Sequence, residues 1–247
     1  EIGSGLVGSE MCIRDRLVLN PIESAWAMMY PGWAHWVHTA PDNKDELDIE
    51  KHYEQLFHML MESQLDFDYG EESMMREMYS VEHDTSGNVV LRIGKASYRT
   101  VLVSGLITMR DSTVQILKEF LDLGGNVIFA GDLPEYVDGK ASDALLLLAK
   151  HPNAVTVPFE KYALADEIRK TAAFYPQIEG KGADHVYAQV RYDAENKLLY
   201  TALINTDREN SLKELRLSLH DLENLFISPA KDVFAQQWDL ATGKRYR

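Results

Sequence analysis

The chain has 247 residues with a formal net charge of −14, and hydrophobic and charged shares of 45% and 26% match a folded water-facing protein. An acidic surface with no basic patch repels phosphate backbones, so nucleic acid is excluded as a partner, and no run of eighteen apolar residues offers a helical membrane span.

Residues 6–15, Leu-Val-Gly-Ser-Glu-Met-Cys-Ile-Arg-Asp, read as an in-frame translation of a transposase-based sequencing adapter. Residues 1–16 are therefore expected to be an artefact, with natural sequence starting near Arg16 or Leu17, and they stay out of the fold reasoning. The single cysteine, Cys12, lies in this stretch, so the rest has no disulfide framework, thiolate nucleophile or cysteine-based zinc site. That composition suits either cytoplasm or exterior, with a slight lean to the cytoplasm.

Leu17–Asn20 is a short buried strand ended by Asn-Pro. A long loop is expected from Pro21 to about Lys44, holding Trp26, Trp33 and Trp36, three of the four tryptophans. Apolar spacing predicts a helix over 48–64, then a strand over 65–69 and a short helix from Gly70-Glu71-Glu72 to Met78. A hairpin is expected over 81–93 and a β-branched strand over 98–104. Asp111 or Ser112 can cap the next helix, which Gly124-Gly125 stops before the strand Asn126–Ala130. A helix over 142–150, a strand over 154–157 and a helix over 159–174 complete an alternating β/α order. The pattern predicts an open, mostly parallel α/β sheet over 17–177. A boundary is expected near 175–184. Strands over 185–192, 197–205, 212–219 and 233–238 then predict an incomplete antiparallel β-sandwich over 183–247.

Familiar chemical motifs are missing. No G-x-G-x-x-G, Walker A or G-x-S-x-G occurs, and Gly105–Met109 has no cysteine for an amidotransferase-type nucleophile elbow. After the first strand, Asn20-Pro21-Ile22-Glu23-Ser24 puts a carboxylate where a flavin phosphate would sit. No cofactor and no metal site is expected; His35, His38, His52 and His58 lack a completing ligand set. Ligands approach open α/β sheets at the carboxyl ends of the strands. Three segments fall there: the tryptophan-rich loop, Asp68–Glu72 and Gly131–Tyr136. Each mixes aromatics with carboxylates, a combination that covers the C–H face of a sugar ring and accepts its hydroxyl hydrogens. The alternatives remain open that the tryptophans pack against a neighbouring domain and that Glu71 and Glu72 are first-turn helix acids.

The run Leu-Asn-Pro-Ile-Glu-Ser-Ala-Trp, then Phe-Asp-Tyr-Gly-Glu-Glu, then Tyr-Arg-Thr-Val-Leu-Val-Ser-Gly-Leu-Ile-Thr-Met-Arg, then Gly-Gly-Asn-Val-Ile-Phe-Ala-Gly-Asp resembles large bacterial glycoside hydrolases. It is similar to the flavodoxin- or amidotransferase-like domain that follows the (β/α)₈ barrel in family 42 β-galactosidases, and to family 106 α-L-rhamnosidases. The tail resembles the β-sandwich that comes next. In those families the catalytic pair lies on the barrel, so the resemblance assigns no catalytic residue here. It implies a non-catalytic fragment partnered by its own barrel, with carbohydrate reached through the parent enzyme and homo-oligomerisation as a further expectation. Glu23, Trp26, Trp33, Trp36, Asp68, Tyr69 and Glu72 are the residues expected to face the sugar site. Two other readings stand beside this one: an oligomerisation module without sugar contact, and a degenerate enzyme using Asp68 or Glu72.

Overall fold

The computed structural model describes residues 10–12, 15–28, 44–84, 86–193, 198–222, 237–238 and 245–246. In chain order the first half runs β1 (Glu10–Cys12), β2 (Arg16–Leu19), α1 (Ile22–Met28), α2 (Lys44–Glu62), β3 (Asp68–Gly70), α3 (Glu72–Met78), β4 (Tyr79–His83), β5 (Val89–Ile93), β6 (Ala96–Tyr98), β7 (Thr100–Ser104), β8 (Thr108–Met109) and α4 (Asp111–Asp122). The second half runs β9 (Asn126–Ala130), β10 (Tyr136–Val137), β11 (Lys140–Ala141), α5 (Ala144–Leu148), β12 (Ala154–Val157), α6 (Lys161–Thr171), β13 (Tyr175–Glu179), β14 (Val186–Asp193), β15 (Leu198–Asn205), β16 (Arg216–His220), β17 (Gln237–Trp238) and β18 (Arg245–Tyr246).

The centre is a five-stranded sheet in the order β12-β9-β7-β2-β3, parallel throughout. Numbered by appearance within this sheet, the order is two-one-three-four-five, that of flavodoxin-like doubly wound folds. Strand alternation explains the two-sided burial. Leu17, Leu19, Val101, Val103, Val127 and Phe129 point to one face, with Met75 of α3 and Val114, Leu117 and Phe120 of α4. Val18, Leu102, Ile128 and Ala130 point to the other, against Leu56 and Leu60 of α2 and Leu164 and Ile168 of α6. Helices thus cover both faces, which is why these strands carry so few polar residues.

The antiparallel parts sit outside this sheet. β4, β5 and β6 form a three-stranded unit between α3 and β7. β14 lies between β1 and β15, and β13 pairs with β16. Ile178, Val186 and Ala188 form a small third core with Leu212 and Leu215. The fold is therefore an α/β unit with a parallel sheet followed by a partial β-sandwich, as the element pattern implies.

Three local differences from the sequence reading have physical causes. The loop expected after β2 opens as a helix: the Pro21 carbonyl accepts from the Ala25 amide at 2.9 Å, and Ala25, Ala27 and Met28 are good helix formers. Trp33 and Trp36 lie outside the described residues, as does most of the strand expected over 233–238. The stretch 175–179, expected at a domain boundary, is a strand, and Pro176 is tolerated because β13 has one partner strand among the described residues. Finally, neither Asp111 nor Ser112 caps α4 with its side chain. Its N-cap is Arg110, and distant carboxylates bind the first amides: Glu72 Oε2 accepts from the Arg110 amide at 2.8 Å and Asp138 Oδ1 from the Asp111 amide at 3.2 Å.

The α4 stop follows the sequence. Gly124 takes φ +104°, and the Gly125 amide returns to the Phe120 carbonyl at 2.8 Å. Leu117, fully buried between α4 and the sheet, tests this packing. Leu117→Ala is expected to lower unfolding stability by about 2–5 kcal/mol, read as a lower urea midpoint with unchanged slope.

Candidate functional site

In a two-one-three-four-five sheet the ligand crevice opens between the first and third strands, here at the carboxyl ends of β2 and β7. α1 starts directly after β2 and brings Glu23 and Ser24 to that point. Ser24 has no exposed surface. Its hydroxyl accepts from the Ile107 amide at 2.9 Å and the Thr108 amide at 3.1 Å, and donates to the Thr108 carbonyl at 3.1 Å. The amides that would meet a ligand are thus taken by a serine of the chain itself.

Beside Ser24 lies a charged cluster. Arg110 Nε donates to Glu23 Oε1 at 2.5 Å, while the Arg110 amide donates to Glu72 Oε2. Glu72 is fully buried. Its other oxygen and the Thr113 hydroxyl, both buried, face each other without a well-aligned hydrogen bond, and Glu23 Oε2 is buried without a partner as well. Burial, reinforced by the charge of Glu23 and only partly offset by the nearby Thr113 hydroxyl and the hydrogen bond from the Arg110 amide, pushes the Glu72 carboxyl up to about 7. Glu71 behaves in the opposite way. As N-cap of α3 it accepts from the Ser73 hydroxyl and the Ser73 and Met74 amides, which hold its carboxyl below the ordinary range.

The expected site residues separate in space. Glu23 and Glu72 meet around Arg110. Trp26 lies one helical turn beyond Glu23 on α1, 59% exposed. Asp68 and Tyr69 alternate along β3 and point to opposite faces of the sheet. Asp68 accepts from the Tyr98 hydroxyl at 3.1 Å on the α4 side. Tyr69 packs on the α2 side, stacked on Tyr53 at 4.9 Å between centroids and edge-on to Phe67 at 4.9 Å. Burial and the Tyr53 hydroxyl push its phenol upward.

A second polar cluster sits over β7 and β9, and the sequence reading missed it. His52 Nε2 lies 2.8 Å from Ser104 Oγ, whose own proton goes to the Ala130 carbonyl at 2.8 Å. With that proton committed, His52 must donate from Nε2, so the pair is not arranged as a nucleophile and its base. The ring stacks on Phe159 at 3.8 Å and fills the space above Gly105, where a Cβ would come within 2.3 Å of it. Burial lowers the imidazole below its ordinary range, against a smaller opposing pull from Asp132. The available signals were Gly105 after a buried strand and Arg110, the sole cation between Arg99 and Lys118. Among the described residues no group of three or more His, Cys, Asp or Glu is gathered to hold a metal ion.

No family model matches the sequence, and no curated protein matches it. Among solved structures, the chain is similar to the apo exo-carrageenase of glycoside hydrolase family 42 from Bacteroides ovatus, with 14% identity and a TM-score of 0.45. The match covers 83% of this chain and 24% of that protein, so the chain spans about a quarter of its length.

Glu72 yields a pH test. Its folded value of about 7 lies above the ordinary 4.5, so between those values the folded state holds more protons than the unfolded state and stability falls as pH rises. Relative to Glu72→Gln, which retains an acceptor for the Arg110 amide, the parent chain is expected to lose on the order of 3 kcal/mol across that window. Parallel stability curves for the two proteins in urea would contradict the assignment.

Proposed function

We propose that the chain is a non-catalytic accessory region of a multidomain glycoside hydrolase. Its α/β unit supports a (β/α)₈ barrel supplied by the parent polypeptide, and the α1 rim lines that barrel's sugar site. The observation that carries this reading is the state of the crevice. Ser24 takes up the Ile107 and Thr108 amides and Arg110 bonds Glu23 and Glu72 where the fold would otherwise receive a ligand, while Trp26 stands exposed on the same short helix as Glu23. The exposed indole suits a pyranose, whose C–H face stacks on the ring. In this reading Trp26, Trp33 and Trp36 contact sugar, and Glu23 and Glu72 fix α1 and α3 to the start of α4 through Arg110.

One observation favours the second reading, an oligomerisation module without sugar contact. β15 is an edge strand among the described residues, carries no charged side chain, and exposes Leu198, Tyr200, Leu203 and Ile204. Such an edge is a template for another strand.

The purified chain is expected to hydrolyse no aryl glycoside, while the chain joined to its barrel does, with Trp26→Ala raising KM of the joined protein about tenfold or more. Turnover by the isolated chain would remove the non-catalytic assignment. Concentration-dependent sedimentation, with Trp26→Ala leaving KM unchanged, would favour the oligomerisation module.

A further inference from the structure

Along α2, His52, Gln55, Met59 and Glu62 recur at three- and four-residue spacing and form one stripe. Opposite the stripe stand Phe159 and Lys161, the latter opening α6, with His58 at the edge. Between them lies an open groove of about 700 Å³ lined by Gln55, His58, Met59, Glu62, Phe159 and Lys161. The groove is open to solvent along most of its surface, so a ligand would lie along it with one side exposed.

We propose that this groove binds a neutral carbohydrate. Three features define the ligand's chemistry. First, the charges cancel: Lys161 Nζ donates to Glu62 Oε2 at 2.6 Å, so the floor offers a donor and an acceptor without favouring an ion. Second, hydrogen-bonding groups of both senses remain for a ligand. Gln55 is exposed and its amide makes no hydrogen bond among the described residues. His58 Nδ1 is 2.9 Å from the Tyr187 hydroxyl, which orients the ring at the rim. Third, Met59 and Phe159 supply an apolar surface. Phe159 is held in place by the His52 ring on one side and by Gly131, where a Cβ would stand 3.3 Å from Phe159 Cβ. A pyranose has this character: one face of C–H bonds and a perimeter of hydroxyls that both donate and accept. A cation or anion would have to break the Glu62–Lys161 pair, and a purely apolar ligand would leave the Gln55 side chain desolvated without a partner.

The groove lies on α2 and α6, whereas Glu23 and Trp26 lie on α1, so the inference goes beyond the rim reading and does not rest on it. The test is an isotope-edited NMR titration of the full chain with cellobiose, lactose and maltotriose. At least one sugar is expected to shift the Gln55 side-chain amide and the backbone amides of 55–62 saturably. Gln55→Ala and Glu62→Gln, both at the solvent-facing groove, are each expected to weaken that response about tenfold, and Trp26→Ala to leave the shifts at 55–62 unchanged. Shifts confined to the Trp26 indole would overturn the groove while supporting the rim. The absence of saturable shifts at 55–62 with any of the three sugars, or a response untouched by both groove variants, would overturn it outright.

Discussion

In a doubly wound sheet the connections after the first and third strands run to opposite faces, and here the Ile107 and Thr108 amides of the segment after β7 face the crevice this opens. Those amides must be bonded, because a buried N–H without a partner costs about 1–3 kcal/mol. Ser24 meets that demand with one hydroxyl, accepting from two amides and donating to a carbonyl. The rest of the crest follows from this choice. α1 must start immediately after β2 to bring Ser24 inward, which sets Glu23 beside Arg110 and turns Trp26 outward one helical turn later. Pro21 suits the start because it lacks an amide that would need bonding.

The same economy of partners governs the charges. Arg110 is one cation among Glu23, Glu71 and Glu72, and the three acids are handled differently. Glu71 is solvated and used by the first turn of α3; Glu23 takes the guanidinium; Glu72 takes only a backbone amide and is wholly buried. A buried carboxyl with a single amide donor relieves its desolvation by holding a proton, which also gives it something to offer Thr113. The cluster is thus a structural clasp joining α1, α3 and the start of α4. Its polar groups are committed inward, and the surface left to meet a partner is aromatic.

Much of this architecture was legible in the chain. Asn126–Ala130 read as a doubly covered strand because it carries so few polar atoms, residues 98–104 read as a strand from their β-branched content, and Gly124-Gly125 marked the end of α4 because that turn needs a positive φ. What could not be read were the long-range satisfactions. Ser24 looks like an ordinary small residue until Thr108 is brought against it, eighty-four positions away. Glu72 reads as a first-turn acid, and its neighbour Glu71 is the one that caps. Tyr69 and Asp68 sit side by side in sequence, so they read as one site, yet the period of two in a strand sends them to opposite faces. The aromatic-acidic segments were visible as composition; which of them share a surface depends on the pleat and on α1 being a helix.

His52 illustrates how a polar contact near the carboxyl ends of strands can be structural rather than chemical. In a nucleophile–base pair the hydroxyl donates to the imidazole. Here the Ala130 carbonyl, which ends β9, holds the Ser104 proton, and the imidazole is left as donor. Gly105 completes the arrangement: with φ +68° and no Cβ it lets the ring descend onto the backbone, where any side chain would push α2 away from the sheet. The ring in turn stacks on Phe159, so the contact that seats α2 on β7 also orients one wall of the groove between α2 and α6. Packing of the helix and the shape of that groove are therefore set by one neutral histidine, and a change at position 52 would be felt at Phe159 before it reached any solvent-exposed group.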